Sequence, residues 1–311
     1  MKSSLSCNSA VSTVAPGRPR EIEEVTNRHF VHPVSRRLVD LLIKTSATPN
    51  QVSVASVFMA AAGAFCYAEM AWPWGAFAGL ACFFAWHVLD GADGDLARRT
   101  ARASTSGELV DGICDHVSQA LLYVAFAFVL QRSLGGWAWA MALAAALCHF
   151  VQANAYETGR KTYRRWVYSA TWMRQDPDSL ARAGAVKSAL GELYLSVSNL
   201  SNRGEAQVEA AMAPLLADDR RSADSARALY RGHYAPLVKA SAVLGGNTRT
   251  LAAFLSMLAG TPLWFFLFEI VVLNAALLGL VVWRRGRDRA LLAGIAKARI
   301  TMRNQAAFAP N

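Results

Sequence analysis

Charge is scarce in this chain of 311 residues: only 17% are charged, against about 25% in an ordinary soluble domain. That deficit argues against a wholly soluble fold and places part of the chain in lipid. Cysteine is scarce too. Cys7, Cys66, Cys82, Cys114 and Cys148 form no CxxC pair, and four of the five lie in or beside apolar runs. This spacing excludes a zinc ribbon and a disulfide framework, and leaves small buried hydrophobes. Residues 1–20 lack the apolar core of a signal peptide and read as a flexible leader. No internal repeat is evident.

Apolar residues are abundant, at 54% of the chain. Mean hydropathy is nevertheless only +0.22, so substantial polar segments separate the apolar ones. The formal net charge of +10 suits nucleic acid, an anionic membrane surface or a phosphate-rich substrate. Because the basic residues flank apolar runs and line no soluble module, nucleic acid is the disfavoured partner.

Residues 21–47 read as an amphipathic juxtamembrane helix. Val34, Leu38, Leu41 and Leu42 recur at helical spacing among Arg28, Arg36, Arg37 and Lys44, a pattern that lies in the plane of a leaflet. Thr48-Pro49-Asn50 then breaks the chain, and six apolar runs follow: Val52 to Met70, Pro73 to Val88, Ile113 to Leu130, Trp137 to Tyr156, Leu251 to Leu258 extended backwards through Leu237 to Leu244, and Pro262 to Trp283. A crossing helix needs about 20 apolar residues, so the second and fifth runs need flanking turns. The expected fold is an all-α integral-membrane bundle of six spanning helices over residues 48–290. A helical insert interrupts it at about 162–234, with patterns at Ala181 to Leu195 and Ala206 to Leu216, and residues 291–311 form a tail. The plain reading of the insert is a cover for one face of the bundle.

Cations set the orientation. Arg98, Arg99 and Arg102, then Arg160, Lys161, Arg164 and Arg165, then Arg284, Arg285, Arg287 and Arg289 fall on one set of connections, and the opposite set holds only Arg132. The positive-inside rule makes the first set and both termini cytoplasmic. The expected location is the inner membrane, crossed several times.

The most informative segment runs from His87 to Asp115. Asp90 and Asp93 are three apart and Asp111 and Asp115 four apart, so each pair shares a helix face. Asp95 lies about 140° around from Asp90 and points elsewhere. The second span enters the cytoplasmic side and the third leaves it, so the two pairs face each other across a hairpin. Four converging carboxylates repel one another, and divalent cations relieve that repulsion. Oxygen-only ligands suit hard ions such as Mg²⁺ or Mn²⁺. The bland alternative makes these acids ion-pair partners of Arg98, Arg99 and Arg102, or helix caps. Gly94, Ala97 and Gly107 are small enough to let a ligand approach, and Arg98 suits phosphate oxygens.

The whole pattern reads Asp-x2-Asp-Gly-x2-Ala-Arg-x8-Gly-x3-Asp-x3-Asp, eight fixed positions within 26 residues. It resembles the signature of the CDP-alcohol phosphotransferase family without departure at any fixed position. The resemblance implies an enzyme that moves a phosphate-linked alcohol from a CDP carrier to an acceptor hydroxyl. Asp90, Asp93, Asp111 and Asp115 would bind a metal pair holding the CDP pyrophosphate, with Asp115 as general base. Gly94, Ala97, Arg98 and Gly107 would shape the nucleotide pocket. A homodimer is the family's usual assembly.

Weaker candidates surround this core. Asn50 would touch a phosphate or simply cap its helix. Asn154, Glu157, Arg160 and Lys161 are acceptor candidates at the end of the fourth span, and Arg249 would grip an anionic acceptor or phosphate. Glu108 suits a surface or cap. His87, His116 and His149 read as singly placed core histidines, and Glu269 and Asn274 as packing groups. The favoured donor is CDP-diacylglycerol, with a small alcohol such as glycerol phosphate or inositol phosphate as acceptor. A soluble donor such as CDP-inositol is the alternative. A cation transporter or channel would repeat its acids through the membrane depth, whereas these cluster at one boundary, and a scaffold has no use for four carboxylates.

Overall fold

The computed structural model describes residues 19–169 and 204–307, so residues 1–18 of the expected leader and the pattern at 181–195 lie outside the described residues. Those residues form helices α1 (His32–Leu42), α2 (Pro49–Glu69), α3 (Trp74–Arg99), α4 (Thr105–Leu134), α5 (Trp137–Tyr168), α6 (Glu205–Ala217), α7 (Arg220–Ala240), α8 (Gly246–Leu258), α9 (Leu263–Leu267) and α10 (Leu273–Ala307). Wider π-type turns, Asn27–Val31 and Phe268–Val272, precede α1 and join α9 to α10. Among the described residues, five helices are long and apolar enough to cross a membrane: α2, α3, α4, α5 and the run from Leu263 to Lys297. The chain is a multi-pass membrane protein.

Local chemistry starts the helices where the site needs them. Thr48 and Gln51 form a reciprocal capping box around Pro49 at the head of α2. Ser104 caps α4 by accepting from the Gly107 amide at 3.1 Å. Between α3 and α4 the chain turns within residues 100–104, where Ala101 adopts a left-handed φ of 55°. This short turn makes α3 and α4 the two arms of one hairpin.

Tyr67, Phe83, Trp86, Tyr123, Phe126, Phe265 and Phe266 are buried together among α2, α3, α4 and α9. Gly79 lets α3 close onto the Tyr67 ring, which a β-carbon at that position would overlap. Trp72, Trp74, Trp137 and Trp264 are exposed at the turns remote from the α3–α4 hairpin, the placement of an interfacial aromatic belt.

Several sequence boundaries shift. The second apolar run is not short, because α3 continues through the acidic segment to Arg99. The juxtamembrane helix proper begins at His32, since Pro33 starts it at the first turn. Val34 and Leu41 are exposed while Val39 is buried against Ala92 and Leu96 of α3. The expected fifth crossing is broken: a 3₁₀ turn over Ser241–Leu244 separates α7 from α8. The 13 residues of α8 reach only about 20 Å, short of a bilayer crossing. The expected tail begins inside α10, where Leu291 and Ile295 are buried with Trp166 of α5, Met212 of α6 and Tyr230 of α7.

Candidate functional site

The α3–α4 hairpin carries the acids into one cavity of about 400 Å³, lined by Asp90, Asp93, Asp111 and Asp115. Ligand atoms of Asp90, Asp111 and Asp115 lie within 4.8 Å of one another. Asp93 stands against Asp111, and Asp90 against Asp115. Asp93 is only 4% exposed, and its Oδ2 accepts a 2.6 Å hydrogen bond from Ser53 Oγ of α2. Crowded carboxylate oxygens in a partly buried recess fit a hard divalent cation, which would remove their mutual repulsion. These acids could hold a metal ion.

Other predicted residues fall into three groups. Gly94 and Arg98 line the cavity with the acids. The Arg98 guanidinium lies 3.4 Å from where a Gly94 β-carbon would stand, so glycine leaves room for it to fold back. Asp95, excluded by helical angle, pairs with Arg98 and does not line the cavity. Glu157, Arg160 and Lys161 of α5 line the cavity beside Arg164. Glu157 and Arg160 form a 2.9 Å ion pair, and the Arg160 guanidinium lies 5.3 Å from the centre of the Tyr156 ring.

Asn50, Ala97, Gly107 and Asn154 are not among the cavity-lining residues. Asn50 Oδ1 and Ser104 Oγ border the position of a Gly107 β-carbon, so Asn50 and Gly107 meet where α2 and α4 begin. The Ala97 carbonyl accepts from the Arg102 amide at 2.9 Å, closing the end of α3.

Arg249, the remaining acceptor candidate, is placed outside the cavity lining. It is 2% exposed, its Nε lies 2.9 Å from Glu269 Oε1, and its Nη2 donates to Gln152 Oε1 at 2.8 Å. Nη1 also donates to the Leu244 and Gly245 carbonyls at the break before α8. A cation inside a bundle must find an anion and spare carbonyls, and here it finds both.

Sequence reasoning missed several residues. His87 lines the cavity, with Nε2 2.8 Å from Thr250 Oγ1 of α8. Glu23, Glu24, Asn27 and His32 also line it from the N-terminal segment. Ser53 shows no signal in the sequence, because its role exists only once α2 packs on α3. The other single histidines are satisfied locally, His149 by Tyr123 at 3.0 Å and His116 by the Gly112 carbonyl at 2.6 Å. Asn274 bonds inside the bundle with Gln152 and the Ile270 carbonyl.

An architecture that is all-helical and multi-span among the described residues, with an acidic cavity at one end of a helical hairpin, defines a membrane protein with a polar site. Residues 46–175 match the model of the CDP-alcohol phosphatidyltransferase family. The matched segment contains the whole acidic pattern and bears out the resemblance read from it. No curated protein matches the chain.

Proposed function

We propose that the protein is a metal-dependent enzyme that transfers a phosphate-linked alcohol from a CDP-linked donor to the hydroxyl of a small alcohol and releases CMP. The observation that carries this reading is the single cavity in which the acids of α3 and α4 face Arg160, Lys161 and Arg164 of α5.

Asp90, Asp93, Asp111 and Asp115 would hold a pair of Mg²⁺ or Mn²⁺ ions. Bound there, such ions would neutralise charge on the pyrophosphate and on departing CMP. Gly94 and Arg98, with Ala97, Gly107 and Asn50 around the adjoining helix ends, form the nucleotide side. The Asp115 carboxylate takes the proton of the acceptor hydroxyl. A new acceptor O–P bond forms as the P–O bond to CMP breaks, and CMP leaves with that electron pair. Glu157, Arg160 and Lys161 receive the acceptor, and the cations favour one that carries its own phosphate, such as glycerol phosphate or inositol phosphate. CDP-diacylglycerol is the favoured donor, because acids at the ends of two spanning helices would stand near the level of a lipid headgroup.

The reading places the site and both termini on the cytoplasmic side of the inner membrane, since the cations gather at this end and the exposed Trp72, Trp74, Trp137 and Trp264 at the other. Residues 48–290 form the catalytic domain, with residues 162–234 inserted on the cytoplasmic face, and the assembly is a homodimer.

The test uses purified protein in lipid nanodiscs with Mg²⁺ or Mn²⁺. Labelled CDP-diacylglycerol or CDP-inositol is offered with a panel of alcohols, and CMP release is followed. Metal-dependent CMP release with one donor is expected. Folded protein that releases no CMP with any donor and acceptor overturns the assignment.

A further inference from the structure

The family match begins at residue 46, yet seven of the twenty residues lining the cavity come from residues 19–32. That third of the wall therefore lies outside the matched segment. It lies on the side of the cavity that also holds Glu157 and Arg160 of α5.

Two glutamates fasten this wall. Glu21 accepts hydrogen bonds from Tyr163 at 3.1 Å and from Tyr168, and Arg231 of α7 lies 3.6 Å away. Ile22, 3% exposed, is buried with Tyr163, Tyr230 and Leu237. Glu24 reaches further into the site. Its Oε1 accepts from the Tyr156 hydroxyl and its Oε2 from Asn247 Nδ2. Asn247 also donates to Asn27 Oδ1 at 2.8 Å. A β-carbon on Gly245 would stand 2.5 Å from Glu24 Oε1, so glycine there is what admits the carboxylate.

Tyr156 joins this wall to Arg160. Its hydroxyl is held by Glu24, and its ring lies against the Arg160 guanidinium, a cation–π contact that fixes where the charge stands. We propose that Glu24 is the positioning residue of the acceptor half of the cavity: it locks the N-terminal wall to α5 and α8, and through Tyr156 sets Arg160 for a phosphorylated alcohol. The insert thereby acquires a role, since α7 helps to anchor the same wall through Arg231. This inference deepens the reading under Proposed function and rests on it for the identity of the acceptor.

The experiment compares wild type, Glu24→Gln and Glu24→Ala in nanodiscs, with glycerol 3-phosphate and inositol 1-phosphate as acceptors. Glu24→Ala should raise the acceptor KM about tenfold, the scale of one lost charge-assisted hydrogen bond, while the donor KM stays within about twofold. Glu24→Gln keeps the bond from Tyr156 and should fall between. Parallel changes in both KM values and kcat, or no change, overturn the proposal. Hydrogen exchange provides a readout that needs no turnover: residues 19–31 should exchange faster in Glu24→Ala, and unchanged exchange there overturns the proposal as well. If the wild type releases no CMP with any donor or acceptor, the proposed function fails, and the exchange comparison alone decides whether Glu24 is the lock.

Discussion

Ser53 of α2 donates a 2.6 Å hydrogen bond to Asp93 of α3, and both side chains are almost wholly buried. The bond orients the most enclosed of the four carboxylates from a helix that contributes no acid itself. Ser53 Oγ also lies 3.2 Å from the Pro49 carbonyl, so the capped start of α2 and the acidic cluster are mechanically joined. Groups that orient metal-binding carboxylates in this way are worth about 10–100-fold in affinity or activity. Ser53→Ala should raise the Mg²⁺ or Mn²⁺ concentration needed for half-maximal CMP release by about tenfold or more, and Ser53→Thr should restore most of it. An unchanged metal titration would remove Ser53 from the site.

Asp115 lies where α4 faces Asp90 and is assigned the acceptor proton. Removing a general base costs about 10²–10⁴ in rate. Asp115→Asn should therefore reduce CMP release by at least about a hundredfold, with the protein still folded by its melting temperature. Near-wild-type turnover would show that another group takes the proton.

Arg249 and Glu269 are 2% and 0% exposed and 2.9 Å apart. Breaking a buried pair from one side leaves an uncompensated charge and costs about 3–5 kcal/mol. Arg249→Met should lower the melting temperature in nanodiscs markedly. The double variant Arg249→Met with Glu269→Leu should recover much of that loss, because replacing a buried pair with apolar groups is often neutral. Equal melting temperatures for wild type and Arg249→Met would show the pair to be dispensable.

Burial pushes the Glu21 carboxyl up, but hydrogen bonds from Tyr168, its own backbone and Tyr163, with Arg231 nearby, outweigh it and hold the group below its ordinary value of 4.5. A carboxyl depressed on folding stabilises the folded state above its unfolded pKa, and the contribution is lost as pH falls through the lower folded value. The stability advantage of wild type over Glu21→Gln should therefore be full near neutral pH and shrink below about pH 4.5. A difference that does not vary with pH would mean that the Glu21 charge is immaterial to the docking of the N-terminal wall.

How much was legible in advance depends on the range of the interaction. The α3–α4 hairpin follows from spacing: acids three and four apart must share a helix face, and Asp95 must leave it. The turn after α3 then brings the two faces together with little freedom. The break before α8 was less legible, because Leu237 to Leu258 looks like one crossing until Gly245 and Gly246 interrupt it. From the sequence Arg249 suits an anionic acceptor or phosphate, whereas its partner in the fold, Glu269, lies twenty residues away on another element.

The sequence by itself determined the membrane character, the acidic pattern with its family resemblance, and the clustering of cations toward one side. Each is a property of residue type and local period, which the helix converts into geometry with few alternatives. Tertiary structure alone decided that Ser53 serves Asp93, that Arg249 belongs to Glu269, and that Glu24 reaches Tyr156 and Asn247. A polar group inside a bundle takes whichever opposite group the packing brings within about 3 Å, and helical period holds no record of which distant helix that will be.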